Sequence, residues 1–214
     1  MSIKEKIFQE KAKRVIESLK KRNMDGMYCP TSAQAVDEIL KMIPDGALVG
    51  LGGSESIIES GLVEALRKRD IRLLDRYRPG VGKEDVEAMR REGLLSDVYI
   101  ASTNALTVDG KLVNIDGTGN RVAAMIFGPK KVILLAGMNK VVRTVEEAIS
   151  RVRNHAAPLN AVRVGKKTPC SHLGYCNDPH CHPPNRICSQ LVVLESSITP
   201  GRVTVVLVGE DLGF

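Results

Sequence analysis

Short apolar runs alternate with amphipathic helical segments along most of the 214 residues, and this alternation is the strongest constraint on the fold. ALVGLG (47–52), IRLLD, DVYIAS and KVILLAG have the length of strands, and segments such as KEDVEAMRREGLL carry apolar residues at helical spacing between them. Strands that alternate with helices of about 10–15 residues are typical of a largely parallel sheet covered by helices. The sequence therefore predicts an α/β three-layer sandwich.

Turn signals predict where antiparallel strands are added to that sheet. Asp109-Gly110 separates ALTV from KLVNI and is a two-residue hairpin signal, and the apolar runs between residues 191 and 208 suggest a second hairpin. The sheet should therefore be mixed but mainly parallel. We expect one domain over residues 1–214, with 1–23 as an N-terminal helix appendage and 168–190 as a Cys-rich loop.

Capping signals predict where the helices begin. Ser2 with Glu5 forms a capping box for the first helix, and Thr31 with Gln34 offers another. Further helices are predicted from about residue 55 to 69 and from 144 to about 156.

Composition excludes some classes of protein. The chain has three Phe, four Tyr and no Trp, which argues against stacking of nucleic-acid bases on aromatic side chains. The net charge of +6 is spread over helices in which Lys and Arg alternate with Glu, which indicates solvated faces and mildly favours anionic ligands. No signal core is present, and no apolar run approaches the ~20 residues of a membrane span. We expect a cytoplasmic protein with no nucleic-acid and no membrane partner.

A glycine-rich turn, VGLGGSES (49–56), lies where a strand gives way to a helix. Gly52, Gly53 and Ser54 would let the backbone approach an anion such as a phosphate or a carboxylate. Glu55 beside them is a candidate acid, base or nucleophile. The turn matches neither the dinucleotide fingerprint nor the Walker A loop. A tight turn with a serine cap is the structural alternative.

A polar loop follows in STNALTVDGKLVNIDGTGNR (102–121). Its amides, carboxylates and arginine suit a small polar ligand held by directed hydrogen bonds. Arg121 is expected to pair with a substrate carboxylate, and Asp116 to act as acid or base if burial raises its pKa. Plain turn formation is the alternative, and we prefer it for Asp109-Gly110. The ligand-binding candidates of this loop are Asn104, Asn114, Gly117, Thr118, Gly119, Asn120 and Arg121. Lys140, at the end of the strand KVILLAG, is a candidate anion contact.

The cysteines cluster in TPCSHLGYCNDPHCHPPNRICSQ (168–190), with the spacing C-x5-C-x4-C-x6-C. Four thiolates within one loop can bind zinc tetrahedrally, with His180 or His182 able to replace one of them, or hold an iron–sulfur cluster. The alternative to metal binding is that the cysteines are reduced thiols or form one disulfide. The predicted metal ligands are Cys170, Cys176, Cys181 and Cys188.

Several of these segments together resemble the LUD (lactate utilisation) domain family. NIDGTGNR, the cysteine block and the terminal LVGEDLG occur in the order typical of its short, single-domain members. The resemblance implies a fold related to ribose-5-phosphate isomerase, glucosamine-6-phosphate deaminase and CoA-transferases. It nominates as motif positions Gly52, Gly53, Asn114 and the residues from Asp116 to Arg121. It also implies a link with oxidation of L-lactate to pyruvate alongside iron–sulfur partner subunits. The four residues between Cys176 and Cys181 depart from the closer C-x2-C spacing of similar sequences.

Three functional hypotheses follow from these observations. The first is a protein associated with oxidation of L-lactate or another 2-hydroxy acid, whose Cys-rich loop carries an iron–sulfur cluster or zinc. The second is an isomerase- or CoA-transferase-like enzyme acting on a small anionic substrate through Glu55 or Asp116. The third is a non-catalytic ligand-binding or assembly module with structural zinc. The sequence leaves open a homo-oligomer and whether the chain itself is catalytic.

Overall fold

In the computed structural model, which describes residues 2–214, the strands form two sheets. The strands are β1 (Asp25–Cys29), β2 (Leu48–Leu51), β3 (Arg72–Leu73), β4 (Val98–Ala101), β5 (Ala105–Thr107), β6 (Leu112–Asp116), β7 (Lys131–Gly137), β8 (Val141–Val142), β9 (Gln190–Leu194) and β10 (Val203–Val208). The helices are α1 (Ile3–Lys20), α2 (Ser32–Lys41), α3 (Glu55–Glu59), α4 (Leu62–Arg67), α5 (Lys83–Glu92), α6 (Asn120–Ile126), α7 (Val145–Arg151), α8 (Ala157–Arg163) and α9 (Pro169–Leu173).

The larger sheet is parallel throughout and has the order β1-β10-β7-β4-β2-β3. Its central strands β7 and β10 pair from Val132 with Val203 to Gly137 with Val208. Their apolar residues are buried on both faces, because helices α2, α3 and α4 cover one face while α1, α6 and the second sheet cover the other. The predicted α/β class with a mainly parallel sheet is confirmed.

The smaller sheet is mixed and has the order β8-β5-β6-β9. Strands β5 and β6 form the predicted antiparallel hairpin, and Gly110 adopts the positive φ of +86° that its turn requires. The predicted hairpin over residues 191–208 is wrong. β9 pairs antiparallel with β6, whereas β10 inserts between β1 and β7 in the other sheet. The segments that form β9 and β10 are similarly apolar, and only their long-range pairing places them in different sheets.

The helix N-termini follow their capping signals. The Ser2 hydroxyl accepts from the Glu5 N–H, the Glu5 carboxylate accepts from the Ser2 N–H, and the Thr31 hydroxyl accepts from the Gln34 N–H. One face of α1 contributes to the core, whereas Ile3 and Ile7 near its start are exposed. Ala12, Val15 and Leu19 are fully buried on one face of α1 against the larger sheet.

Two predicted helices differ from the structure. The helix expected over residues 55–69 is two short helices, because Gly61 takes a left-handed φ of +75° between α3 and α4. The helix expected to end near residue 156 continues to Arg163 through a π-helical turn at Val152–Ala156. None of the helices formed by residues 2–214 combines the length and the apolar character that a bilayer crossing requires.

Candidate functional site

A cavity of about 300 Å³ lies beyond the carboxyl ends of three neighbouring strands of the larger sheet. The segment after β2 supplies residues 53–56, the segment after β4 supplies residues 102–104, and Lys140 follows β7. Parallel strands end at one edge of a sheet, so segments far apart in sequence meet there. Its opposite wall contains Val152 and Ala156 of the π-helical turn, a rare element that often marks a functional site.

The glycine turn owes its glycines to close packing. A Cβ on Gly52 would lie 2.9 Å from the Cβ of Ala101, and a Cβ on Gly53 would lie 3.3 Å from the Arg76 guanidinium. The Gly52 N–H donates to the Ile100 carbonyl, and the Ser54 N–H donates to the Tyr77 hydroxyl at 2.8 Å. These two donors are therefore occupied, and the missing side chain at Gly53 leaves room for the Arg76 guanidinium.

Asp116 and Arg121 form a buried ion pair at the base of the polar loop. Arg121 Nη2 lies 2.7 Å from Asp116 Oδ1, and both side chains are about nine-tenths buried. Asp116 Oδ2 accepts from the backbone N–H groups of Arg121 and Val122, each at 3.1 Å. Asp116 thereby caps the start of α6, and both of its oxygens accept hydrogen bonds from within the loop.

Every N–H of the Arg121 side chain donates to the protein itself. Nε donates to Asp116 and Nη1 to the Ser102 carbonyl and the Asn114 amide oxygen, while Nη2 donates to the Asn104 amide oxygen and the Ile115 carbonyl. Pairing of Arg121 with a substrate carboxylate stays a prediction, and it would require one of these hydrogen bonds to be exchanged for the ligand. Arg121 ties the polar loop to the end of β4. The acid–base role expected of Asp116 is disfavoured for the same reason.

The remaining residues of the polar loop divide into two groups. Asn104, Gly117, Thr118 and Asn120 line the cavity. Asn114 and Gly119 lie outside its lining, as does Gly52 of the glycine-rich turn. Asn114 is fully buried, and its amide oxygen accepts from Arg121 and from the Asn104 N–H. Thus part of the predicted loop faces the cavity and part holds the loop together.

Lys140 reaches the buried end of the cavity. Its Nζ donates to Ser56 Oγ at 2.7 Å and to Ser102 Oγ at 3.1 Å, and only 4% of the residue is exposed. Burial lowers the pKa of Lys140 to about 7, and the positive charges of Arg151 and Arg121 add to the lowering while Glu59 opposes it. The sequence predicts that Lys140 lies at this edge of the sheet, but it does not predict the contacts with Ser56 and Ser102.

Four of the cationic side chains that line the cavity, those of Arg76, Arg90, Arg163 and Lys166, were not predicted from the sequence. Six cationic and two acidic side chains line it, and one acid, Asp116, is already paired with Arg121. The other acid, Glu55, lies 3.6 Å from the Arg163 guanidinium. The cationic lining residues are Arg76, Arg90, Arg121, Lys140, Arg163 and Lys166. The sequence does not indicate that Arg76 and Arg163 line the same cavity, since 86 residues lie between them along the chain.

The four clustered cysteines line one small cavity beside the first. Arg186 binds the loop internally, donating to the carbonyls of Cys181 and Cys188 at 2.9 Å each. Burial, together with the neighbouring Cys170 and Cys176, raises the pKa of Cys188 to about 11. Thiols gathered in this way fit the ligand types of zinc or an iron–sulfur cluster. In the described chain, however, no group of three or more His, Cys, Asp or Glu side chains is arranged to hold a metal ion.

Cys188 connects the two cavities, because it and Ile187 line both of them. The segment packs on the polar loop, where the Ser189 N–H donates to the Asp116 carbonyl and a Cβ on Gly117 would lie 3.3 Å from the Ile187 carbonyl oxygen. The Cys-rich loop and the polar loop are therefore packed against each other.

Comparison with known proteins supports the fold and the family. The family model described as LUD domain matches residues 12–208. No protein of curated function matches the sequence. The crystal structure of a DUF162 family protein from Deinococcus radiodurans is similar over 94% of this chain and 97% of that chain, with 14% identity and a TM-score of 0.51.

Two further structures are similar over smaller parts of the chain. Ribose 5-phosphate isomerase A from Neisseria gonorrhoeae matches 63% of this chain and 65% of its own, with 18% identity and a TM-score of 0.36. eIF2B delta from Chaetomium thermophilum matches 56% of this chain and 50% of its own, with 21% identity and a TM-score of 0.36. Both matches are too loose to carry a functional argument.

Proposed function

The chain belongs to the LUD domain family, and from that premise we propose that it binds L-lactate or a related 2-hydroxy acid, together with its 2-oxo product, as part of oxidation to pyruvate. The observation that carries the proposal is the cationic cavity beyond β2, β4 and β7. Its volume of about 300 Å³ suits a small ligand, and its excess of positive side chains suits an anion.

Arg76 is the best candidate to bind the carboxylate. No carboxylate among residues 2–214 forms an ion pair with it, in contrast to Arg163, which lies beside Glu55. Burial lowers the pKa of Arg76, and the charges of Arg90 and Arg163 lower it further, so an arriving anion would relieve repulsion among these cations. A guanidinium can also bind a carboxylate through two parallel hydrogen bonds.

Replacing Arg76 by alanine should weaken binding of both L-lactate and pyruvate about tenfold or more, because a hydrogen-bonded charged contact contributes roughly 1.5–3 kcal/mol. Isothermal titration calorimetry on wild type and variant measures this. Arg72→Ala is the matched control, since the Arg72 side chain is 73% exposed and pairs only loosely with Glu92 at 3.6 Å. Equal affinities in wild type and Arg76→Ala would refute the assignment, and no binding to wild type would refute the proposed function.

We further propose that the Cys-rich loop holds an iron–sulfur cluster or zinc. Cys170, Cys176, Cys181 and Cys188 would be the ligands, drawn closer than they lie in this structure. A cluster would supply electron-accepting chemistry beside the ligand cavity, whereas zinc would fix the loop. Iron–sulfur partner subunits would be the next electron acceptors in the first case.

Metal analysis of protein purified without air tests the loop. Iron with equivalent sulfide and a broad absorption near ~400 nm would support a cluster, and one zinc per chain would support the structural alternative. Cys181→Ser should reduce the metal content in either case. Cys29→Ser is the control, because Cys29 is buried at the end of β1, outside this cavity. Metal-free wild-type protein would contradict both forms of the proposal.

Glu55 favours one alternative function, an isomerase- or CoA-transferase-like reaction on a small anionic substrate. It is the acidic side chain of the cavity that is not fixed by Arg121, and it lies next to Ser54 and Ser56. Turnover of a sugar phosphate or a CoA ester that is abolished by Glu55→Gln would establish this alternative instead.

A further inference from the structure

Lys140 is an amine enclosed by neutral partners. Its Nζ contacts the hydroxyls of Ser56 and Ser102, and no carboxylate within residues 2–214 lies within ion-pair distance of it. It lines the cavity although the residue is almost fully buried. We propose that Lys140 forms a reversible imine with the carbonyl carbon of a 2-oxo acid bound in this cavity. This inference rests on the proposed function and assigns the covalent step within that site.

The surroundings make the amine nucleophilic near neutral pH. The charged groups acting on Lys140 are Arg151 and Arg121, which disfavour its ammonium form, and Glu59, which favours it. Arg151 is held by carbonyl acceptors on Asn139 and Asn104, and Arg121 by the polar loop, so both charges are fixed. Lysines that form imines are kept unprotonated by such burial and neighbouring cations.

The shape and charge of the cavity select the electrophile. Arg76 and Arg163 line the same cavity as Lys140 and supply the positive charge that would bind a carboxylate there. A 2-oxo acid has its carbonyl directly next to its carboxylate and is small enough for about 300 Å³. A 2-hydroxy acid would bind in the same way but has no carbonyl to attack.

The step is balanced without any oxidant or reductant. The Nζ lone pair forms the C–N bond, the carbonyl π electrons move to oxygen, and that oxygen takes one proton from the nitrogen. The resulting carbinolamine loses its hydroxyl group and the second nitrogen proton as water, and the C=N bond of the imine forms. Ser102 is placed to pass the proton, because its hydroxyl is 3.1 Å from Nζ and otherwise contacts only the Thr103 carbonyl at 3.2 Å. Ser56 orients the amine, because its own hydroxyl donates to the Leu212 carbonyl.

Reductive trapping with pyruvate and cyanoborohydride tests the inference. At pH 7 about half of an amine with a pKa near 7 is neutral, against fewer than ~0.1% of an ordinary lysine with a pKa of about 10.4. We therefore expect intact-mass analysis of wild type to show one reduced pyruvate adduct, mapped to Lys140 by peptide sequencing. L-lactate should suppress trapping by competition.

Two variants complete the experiment. Lys140→Arg should give no adduct, and Lys13→Arg, which changes an exposed lysine of α1, should trap as wild type does. Adducts scattered over surface lysines, or none although calorimetry detects pyruvate binding, would overturn the imine while leaving the proposed function intact. Absence of pyruvate binding would overturn both. The wild-type mass measurement decides the matter even if Lys140→Arg fails to fold.

Discussion

Replacing Arg121 by alanine should lower the free energy of unfolding by about 3–5 kcal/mol, because it leaves the Asp116 carboxylate buried without its partner. The pair is 2.7 Å apart and about nine-tenths buried, so solvent does little to screen the loss. The same change also removes the donors that join Asn104, Asn114 and the Ser102 carbonyl. Urea denaturation of wild type and variant measures the difference.

Two comparisons separate this effect from a general loss of an arginine. Arg72→Ala removes an exposed guanidinium and should change stability by no more than about 0.5 kcal/mol. The double variant Asp116→Ala with Arg121→Ala should be less unstable than the sum of the single changes, because no carboxylate is then stranded. If Arg121→Ala kept wild-type stability and lost only ligand affinity, the expectation of a substrate-binding arginine would be supported instead.

The sequence predicts local structure well where a few neighbouring residues decide it. The capping box at Ser2 and the Asp109-Gly110 turn each depend on residues within four positions, and both form as predicted. The failures come from long-range competition. β10 does not pair with β9, because its position between β1 and β7 buries its apolar side chains on both faces of the larger sheet. No local sequence pattern indicates that position.

The candidate site shows the same division. Glu55 beside the glycine turn, Asn104 and Thr118 in the polar loop and Lys140 at a strand end were candidate site residues, and all four line one cavity. Arg76 was missed because it reaches the cavity only through the pairing of β3 with β2, which places it against Gly53. The sequence shows that an arginine is present at position 121 but not that five acceptors of the protein surround its side chain.

Lys140 should make the stability of the wild type depend on pH in a way that the Lys140→Met variant does not share. The folded-state pKa of about 7 lies below the value of about 10.4 expected for an unfolded lysine. Between these values the unfolded chain binds more protons than the folded chain, so wild-type stability rises with pH. Below about pH 7 the amine is protonated in both states, and the full cost of burying the charge is present.

The expected slope is about 1.4 kcal/mol per pH unit between roughly pH 7.5 and pH 10, taken as wild type minus Lys140→Met. The subtraction removes the titration of groups common to both proteins, and methionine fills most of the volume of the lysine while leaving the Ser56 hydroxyl bonded to the Leu212 carbonyl. Denaturant unfolding of both proteins at pH 6.5, 8 and 9.5 gives the difference. At the lowest pH the methionine variant should be the more stable protein, and the wild type should approach it as the pH rises. A pH-independent difference would mean that Lys140 is charged in the fold throughout this range, and the neutral amine that imine formation requires would not exist near pH 7.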